Sequence, residues 1–392
     1  MTLYKAVGRV LVSFLHICLQ LFRSINQTRK TVPPILFNYR YWFLHALLIL
    51  GLGLVGCSTS DPQSTFDASG PVARTQLDLF WLILWGALAI FVLVGGILVY
   101  SVIRFREKNQ QELPVQTEGN RFLEFAWTLI PALMLIVLSV ITVRTIFELD
   151  SPPSDNPLRV EVVAHQWWFE AIYPDYGVTT ANDIVVPVGM DVDITLISPD
   201  VIHSFWVPKL AGKQDVVPNH PNKMWFRADK VGTFYGQCAE FCGIAHALMK
   251  FTVVVKDEKG FQDWMIGQQR GPVVATGQAA VGAQVFAAKG CLACHSTNGA
   301  DSTTIRDSRD MLFRQGQAIT HGPNLTHFAS RDTFAGAIEN ITEENLTSWL
   351  VDPESFKPGN RMARLAPAFN DSSLALGDED IAALVAYLMS LK

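Results

Sequence analysis

Apolar residues are spread unevenly along the chain, and the early part holds three long runs. Residues 41–55 are almost wholly apolar, residues 79–103 give 25 positions without a charge, and residues 125–143 form the third run. At 1.5 Å per residue the 25-residue run makes a helix of about 37 Å, enough to cross a bilayer with some tilt. Arg104, Arg106 and Lys108 follow at once, and Arg121 precedes the next run, so the 104–123 loop is predicted to face the cytoplasm. Pro131 is tolerable in a membrane helix, and Trp81 and Trp127 lie near span ends, where aromatic rings anchor. The two runs predict a hairpin over 79–147, with everything beyond it outside the cytoplasm.

The period then changes. Segments 158–164, 191–197, 223–228 and 249–255 show β-branched enrichment or alternation, with Pro and Gly between them. Over 158–256 this predicts an antiparallel all-β sandwich. Residues 257–274 read as a linker with one short helix around 261–268. From 275 to 392 the pattern is helical. One helix is predicted over 276–289, and one opens at Thr342 with Glu343 and Glu344 in its first turn. The last helix places Ile381, Leu384, Val385, Leu388 and Leu391 on one face. Residues 58–78, rich in Ser, Thr, Asp and Gly where they leave the leader, read as an exposed linker up to the first span.

The first 57 residues form a leader. Its basic residues precede the 41–55 run, as in a secretory signal, and it closes on Leu54-Val55-Gly56-Cys57. That ending resembles a bacterial lipoprotein box, with Cys57 the lipid-modified residue; a simple uncleaved anchor helix is the other reading. A hydrophobic content of 49% agrees with part of the chain lying in a membrane, and a net charge of −5 gives no support to nucleic-acid binding. The six cysteines fall in pairs at 238/242 and 291/294, plus Cys18 and Cys57, so none demands a disulfide.

Candidate chemistry concentrates in Cys238-Ala-Glu-Phe-Cys242-Gly-Ile-Ala-His246-Ala-Leu-Met249, with His203 lying 35 residues before Cys238. Thiolate, imidazole and thioether are donors that copper favours. A Cys followed by Cys, His and Met at three fixed offsets arises by chance on the order of once in a hundred thousand. Methionine argues against structural zinc. A mononuclear blue-copper site leaves the second cysteine over, whereas two thiolates can bridge two copper ions. Cys291-Leu-Ala-Cys294-His295 is the attachment signature of a c-type haem, with the imidazole on iron. Met311, His321, His327, Met362 and Met389 are the downstream candidates for the sixth position. Met389 sits on the last helix and reads as core.

These residues carry a resemblance. The chain resembles subunit II of a haem-copper cytochrome c oxidase, of the type with a fused cytochrome c domain (caa3-type). The matching pieces are Asp-Val-Ile-His-Ser-Phe-Trp-Val-Pro at 200–208 and Gly-Gln-Cys-Ala-Glu-Phe-Cys-Gly-Ile-Ala-His-Ala-Leu-Met at 236–249. The resemblance implies a multi-domain membrane protein: a two-helix transmembrane hairpin, an all-β cupredoxin-like Greek-key sandwich and an all-α cytochrome c domain. It implies a dinuclear copper centre held by His203, Cys238, Cys242, His246, Met249 and the Glu240 carbonyl. The Glu240 carboxylate would reach a magnesium ion shared with subunit I. Lys-Pro-Gly-Asn-Arg-Met at 357–362 resembles the cytochrome c loop that supplies axial Met362. His321-Gly-Pro-Asn-Leu resembles a segment beside the proximal histidine, which places His321 around the haem and not on iron.

Trp167 matches an exposed tryptophan that admits electrons from cytochrome c, although a fused haem domain could take that role. Trp168 and Phe169 read as sandwich core, and His165 as a hydrogen-bonded core histidine. Glu124 matches a glutamate at the mouth of a proton pathway into subunit I; an acidic residue flanking a helix is the bland reading. Neither predicted membrane span contains a histidine, so an oxygen-reducing haem and copper must lie in another subunit. The expected role is electron delivery from cytochrome c, through the chain's own haem and copper, to subunit I, in an assembly that also holds subunit III, reduces oxygen to water and pumps protons. The expected location is the bacterial inner membrane. A membrane-anchored electron carrier and a nitrous oxide reductase-type electron-accepting domain are the rival readings.

Overall fold

The structure is a computed structural model and describes residues 61–106, 116, 118–271, 274–297 and 322–392. Cys57 and the rest of the leader lie outside the described residues. Helices α1 (Pro71–Arg104) and α2 (Arg121–Glu148) are both long and apolar enough to cross a membrane. Their side chains are largely exposed, as with Phe91 at 74% and Phe147 at 75%, which suits a lipid-facing surface. Asn120 caps α2 by accepting from Phe122 N and Leu123 N.

Helix α1 begins eight residues before the uncharged run, inside the stretch expected to be an exposed linker. Its first turn docks on the sandwich. Ser69 N donates to Lys209 O at 2.7 Å and Ala73 N to Leu210 O at 3.2 Å, and Val72 and Ala73 are buried. Small residues fit there because the two backbones approach closely. They leave no periodic signal, so the sequence reads as a linker where the chain is packed.

The sandwich comprises β1 (Leu158–His165), β2 (Trp168–Tyr173), β3 (Val178–Ala181), β4 (Asp183–Pro187), β5 (Asp191–Ile197), β6 (His203–Trp206), β7 (Gln214–Val216), β8 (Asn222–Arg227), β9 (Gly232–Cys238) and β10 (Lys250–Lys256). They form two five-stranded sheets, ordered β3-β2-β1-β5-β8 and β4-β10-β9-β6-β7. The sheets are mixed and not purely antiparallel: β1 runs parallel to β5, and β4 parallel to β10. Such pairs are joined through long crossovers, which local alternation cannot reveal. Alternating side chains from both sheets meet in one core, where Phe205 and Phe251 stack at 4.4 Å between centroids and Phe169 meets both rings edge to face.

Helix α3 (Glu258–Gln268) was expected within a linker. It instead belongs to the sandwich, burying Phe261 and Met265 in that core. Asp257 caps it by accepting from Gly260 N at 2.7 Å.

The C-terminal domain crosses α4 (Gln278–Ala288) with the last helix, and α5 (Glu343–Val351) packs against the same core. Thr342 caps α5 through Asn345 N, as its sequence predicts. Helices α6 (Pro353–Phe356), α7 (Arg361–Leu365) and α8 (Pro367–Asn370) are short, and α9 (Asp378–Ser390) closes the domain. The predicted face of α9 is the buried one: Ile381, Leu384, Val385, Leu388 and the following Leu391 all lie in the core. At the crossing of α4 and α9, a Cβ on Gly282 would stand 1.9 Å from Ala383 O, so only glycine permits this contact. Gly282→Val is therefore expected to abolish folding of the helical domain, and with it attachment of the haem expected at Cys291 and Cys294, while the sandwich and the copper expected at its 238–249 loop survive. Haem staining of the purified chain, beside its copper spectrum, reads both, and normal haem content would refute the close-crossing argument.

Candidate redox centres

The donor atoms of the first motif converge although they come from separate elements. β9 delivers Cys238 at its last position, and the 239–249 loop returns to β10. β6 pairs with β9 so that Phe205 faces Cys238, which places His203 two residues beyond, at the same edge. Cys238 Sγ lies 3.8 Å from Cys242 Sγ, 3.9 Å from His203 Nδ1 and 3.3 Å from Glu240 O. Cys242 Sγ lies 3.6 Å from His246 Nδ1 and 3.8 Å from Met249 Sδ. All six predicted donors are thus within a few ångströms of the thiol pair. Cys238, Cys242, Met249 and His203 are buried, while the Glu240 side chain is exposed.

Electrostatics favours one thiolate without a cation. The Cys242 S–H bond to Cys238 draws the Cys238 thiol down, while that same bond and burial hold Cys242 up. A bound cation removes the conflict by letting both sulfurs ionise. His203 is oriented from behind: its Nε2 meets Asp200 Oδ1 at 2.8 Å, leaving Nδ1 toward the sulfurs. Burial works against the His203 imidazolium, but Asp200 and Cys238 outweigh it and raise its pKa. Burial also raises Asp200, yet the His203 contact and the backbone N–H of Gln166 and Val201 bring it below the usual carboxylate range. A buried soft-donor set with an oriented imidazole fits a dinuclear copper centre.

The second motif opens onto a cavity lined by Cys291, Cys294, His295, Met362, Phe286 and Leu325. His295 Nδ1 lies 2.8 Å from Pro323 O, so the neutral ring donates there and keeps Nε2 for a metal. Met362 lines the same cavity, from α7. His327 is occupied elsewhere, with Nε2 at 3.2 Å from Gln268 O, and Met389 packs in the helical core. Met311 and His321 lie outside the described residues. Two thiols, a directed imidazole and a thioether around one apolar cavity fit a c-type haem.

The cavity is closed on one side by the sandwich, and here two readings change. Trp167, expected to be exposed, is only 7% exposed. The 357–361 segment covers it: Lys357 Nζ donates to Trp167 O at 2.6 Å and to Ala335 O at 2.8 Å. Gly359, with φ +76, lets that segment settle over Trp167 and Ile244. Trp167 Nε1 donates to Cys242 O at 3.1 Å. Phe169 is core as expected; Trp168 is also buried, but it stacks on His165 at 4.4 Å against the haem cavity and outside the sandwich core cluster, whereas Trp167 lines the same cavity and packs into that core. His165 is buried beside Glu170, at 3.1 Å. Glu124 lies exposed in the first turn of α2. Asp200 appears in the sequence only within the 200–208 segment, and Lys357 and Arg361 only within the 357–362 loop, while Gln166 carries no signal of a site. Their partners stand far away in sequence.

Comparison with known proteins agrees with this architecture. The family described as cytochrome c oxidase subunit II, transmembrane domain, matches residues 59–145; its periplasmic domain matches 177–257, and cytochrome c matches 279–392. Cytochrome c oxidase subunit 2 of Bacillus sp. strain PS3 is 39% identical over 374 residues, covering 91% of this chain and 98% of the relative. That of Alkalihalophilus pseudofirmus is 36% identical over 353 residues, 88% of this chain and 96% of the relative. The crystal structure of the periplasmic domain of subunit II from Bradyrhizobium japonicum shares 33% identity, with a TM-score of 0.28, over 30% of this chain and 94% of that one. The chain belongs to the cytochrome c oxidase subunit II family, in the form that carries a cytochrome c domain. As such it is a membrane-bound subunit of an oxidoreductase complex, with an extracytoplasmic dinuclear copper domain and a haem c domain, and it passes electrons to the other oxidase subunits.

Burial draws the Lys357 amine down to about 7, yet it supplies hydrogen bonds to both domains. Lys357→Met leaves the carbonyls of Trp167 and Ala335 without donors, a cost of about 1–3 kcal/mol each where they stay dry. Amide exchange in segments 165–168 and 334–337 is expected to accelerate. Unchanged exchange in both would show that docking does not depend on this amine.

Proposed function

We propose that His203, Cys238, Cys242, His246, Met249 and the Glu240 carbonyl hold the copper pair, and that Cys291, Cys294, His295 and Met362 hold the haem. The gathering of all six donors around the Cys238–Cys242 pair is the observation that carries this reading. The two groups supply one-electron redox chemistry. The protein's part is to fix their surroundings. Strands β6 and β9 carry His203 and Cys238, the loop from β9 to β10 carries the other copper donors, Asp200 orients His203, and Pro323 O orients His295. A stiff scaffold keeps donor positions constant when the charge changes, which limits reorganisation.

Trp167 lies between the two centres, its indole on the Cys242 carbonyl and its own carbonyl on Lys357. In this reading it relays electrons within the chain and does not receive them from an outside donor. Cytochrome c or another donor delivers to the haem. The exposed Glu240 carboxylate faces outward, where magnesium at the boundary with subunit I could use it. Glu124 stands at the start of α2, at the end joined to the basic 104–123 loop, and serves as the mouth of a proton pathway into subunit I. The chain crosses the bacterial inner membrane twice, beside subunits I and III, in a complex that reduces oxygen to water and pumps protons. The separate anchored-carrier reading lacks support beside the family's own transmembrane domain match.

Cys242→Ser removes one of the two sulfurs that would hold the copper pair, so the dinuclear mixed-valence spectrum is expected to vanish; an unaltered copper count and spectrum would refute the assignment. Met362→Ala is expected to leave the haem covalently attached but with its Met-ligated optical band lost. Persistence of that band would move the axial role to another residue.

A further inference from the structure

Arg361 stands one residue before Met362, yet its guanidinium leaves the helical domain. It donates to Gln166 Oε1 at 3.1 Å and lies 3.3 Å from Asp200 Oδ2. Both partners lead to the copper loop. Asp200 contacts His203 Nε2 at 2.8 Å, and Gln166 Nε2 donates to Cys242 O at 2.7 Å. One cation thus joins the loop carrying Met362 to two residues of the thiol site, through two hydrogen-bonded arms.

The fold does not need this cation to hold Asp200. Gln166 N and Val201 N already donate to the carboxylate, at 2.8 and 2.7 Å. The Arg361 side chain is 36% exposed, so its pairing adds little stability after solvent screening. What it does change is the electron density at His203. A carboxylate behind an imidazole makes that imidazole a stronger donor. A cation beside the carboxylate draws that density back.

We propose that Arg361 is a positioning residue for electron transfer within the chain, setting the copper centre's potential relative to the haem through Asp200–His203 and Gln166–Cys242. This rests on the assignment of His203 and Cys242 to copper and of Met362 to iron. One electron passes from the haem side of the network to the copper side, and no bond forms or breaks. Removing the cation leaves the Asp200 carboxylate uncompensated, which stabilises the oxidised copper pair and lowers its potential.

The test uses the intact oxidase with Arg361→Gln, Arg361→Lys, Asp200→Asn and the Arg361→Gln/Asp200→Asn double variant. Both centres are titrated by spectroelectrochemistry. Arg361→Gln is expected to shift the haem–copper equilibrium about tenfold toward reduced haem, about 59 mV for one electron. The dinuclear spectrum and the haem ligation band should both remain. Arg361→Lys keeps the charge and should restore most of the shift. In the Asp200→Asn background, Arg361→Gln should add clearly less than it does alone, because the Asp200–His203 arm is already cut and only the Gln166–Cys242 arm remains. An unchanged equilibrium in Arg361→Gln, or full additivity with Asp200→Asn, overturns the inference while leaving the ligand assignment standing. A wild-type chain without a dinuclear spectrum overturns the assignment and the inference with it.

Discussion

Two thiols 3.8 Å apart in an apolar core cannot both ionise unless a cation lies between or beside them. The copper domain is arranged around that constraint. Cys238 ends a central strand and Cys242 sits in the loop that returns to β10, so the pair spans the turn of one hairpin. His203 arrives from the neighbouring strand by sheet register and not by sequence proximity. The aromatic core beneath, Phe169, Phe205 and Phe251, gives these strands a packed floor that resists displacement. The site is therefore held by elements whose stability does not depend on the metal alone.

The same sandwich presents the docking surface for the helical domain. That surface is polar at its centre: a buried amine on two carbonyls and a guanidinium on a carboxylate and an amide. Hydrogen bonds of this kind contribute modestly to affinity because each replaces contacts with water. Their directionality is what they add. A purely apolar contact would tolerate sliding, whereas Lys357 reaches Trp167 O and Ala335 O together in only one pose. An electron-transfer pair benefits from such fixed separation.

What the sequence revealed, and what it hid, follows from the range of each interaction. The copper loop and the haem motif are legible because most of their donors lie within twelve residues of one another and their chemistry is rare. The membrane runs and the buried face of α9 are legible because they are periodic or continuous. Ser69–Gly70 and the first turn of α1 are not, since small residues at a close backbone approach look like a linker. The parallel pairing of β1 with β5 is hidden by its long crossover. The burial of Trp167 depends on the 357–361 segment that covers it, a contact between residues some 190 positions apart. Lys357 and Arg361 resemble ordinary charges of a cytochrome loop until the sandwich stands beside them.

The burial of Trp167 also fixes an order of carriers. An isolated copper domain with an exposed tryptophan could take electrons from any protein that docks there. Here that face is occupied by a covalently tethered partner, and a tether raises effective concentration without any new contact. Competition from a freely diffusing donor at the same place then requires displacing the docked domain, breaking the Lys357 and Arg361 contacts together. The haem motif is left more open, with Leu292 54% exposed between its cysteines. An outside donor that cannot reach Trp167 can still approach the haem, so the layout puts haem first and copper second by what each leaves accessible.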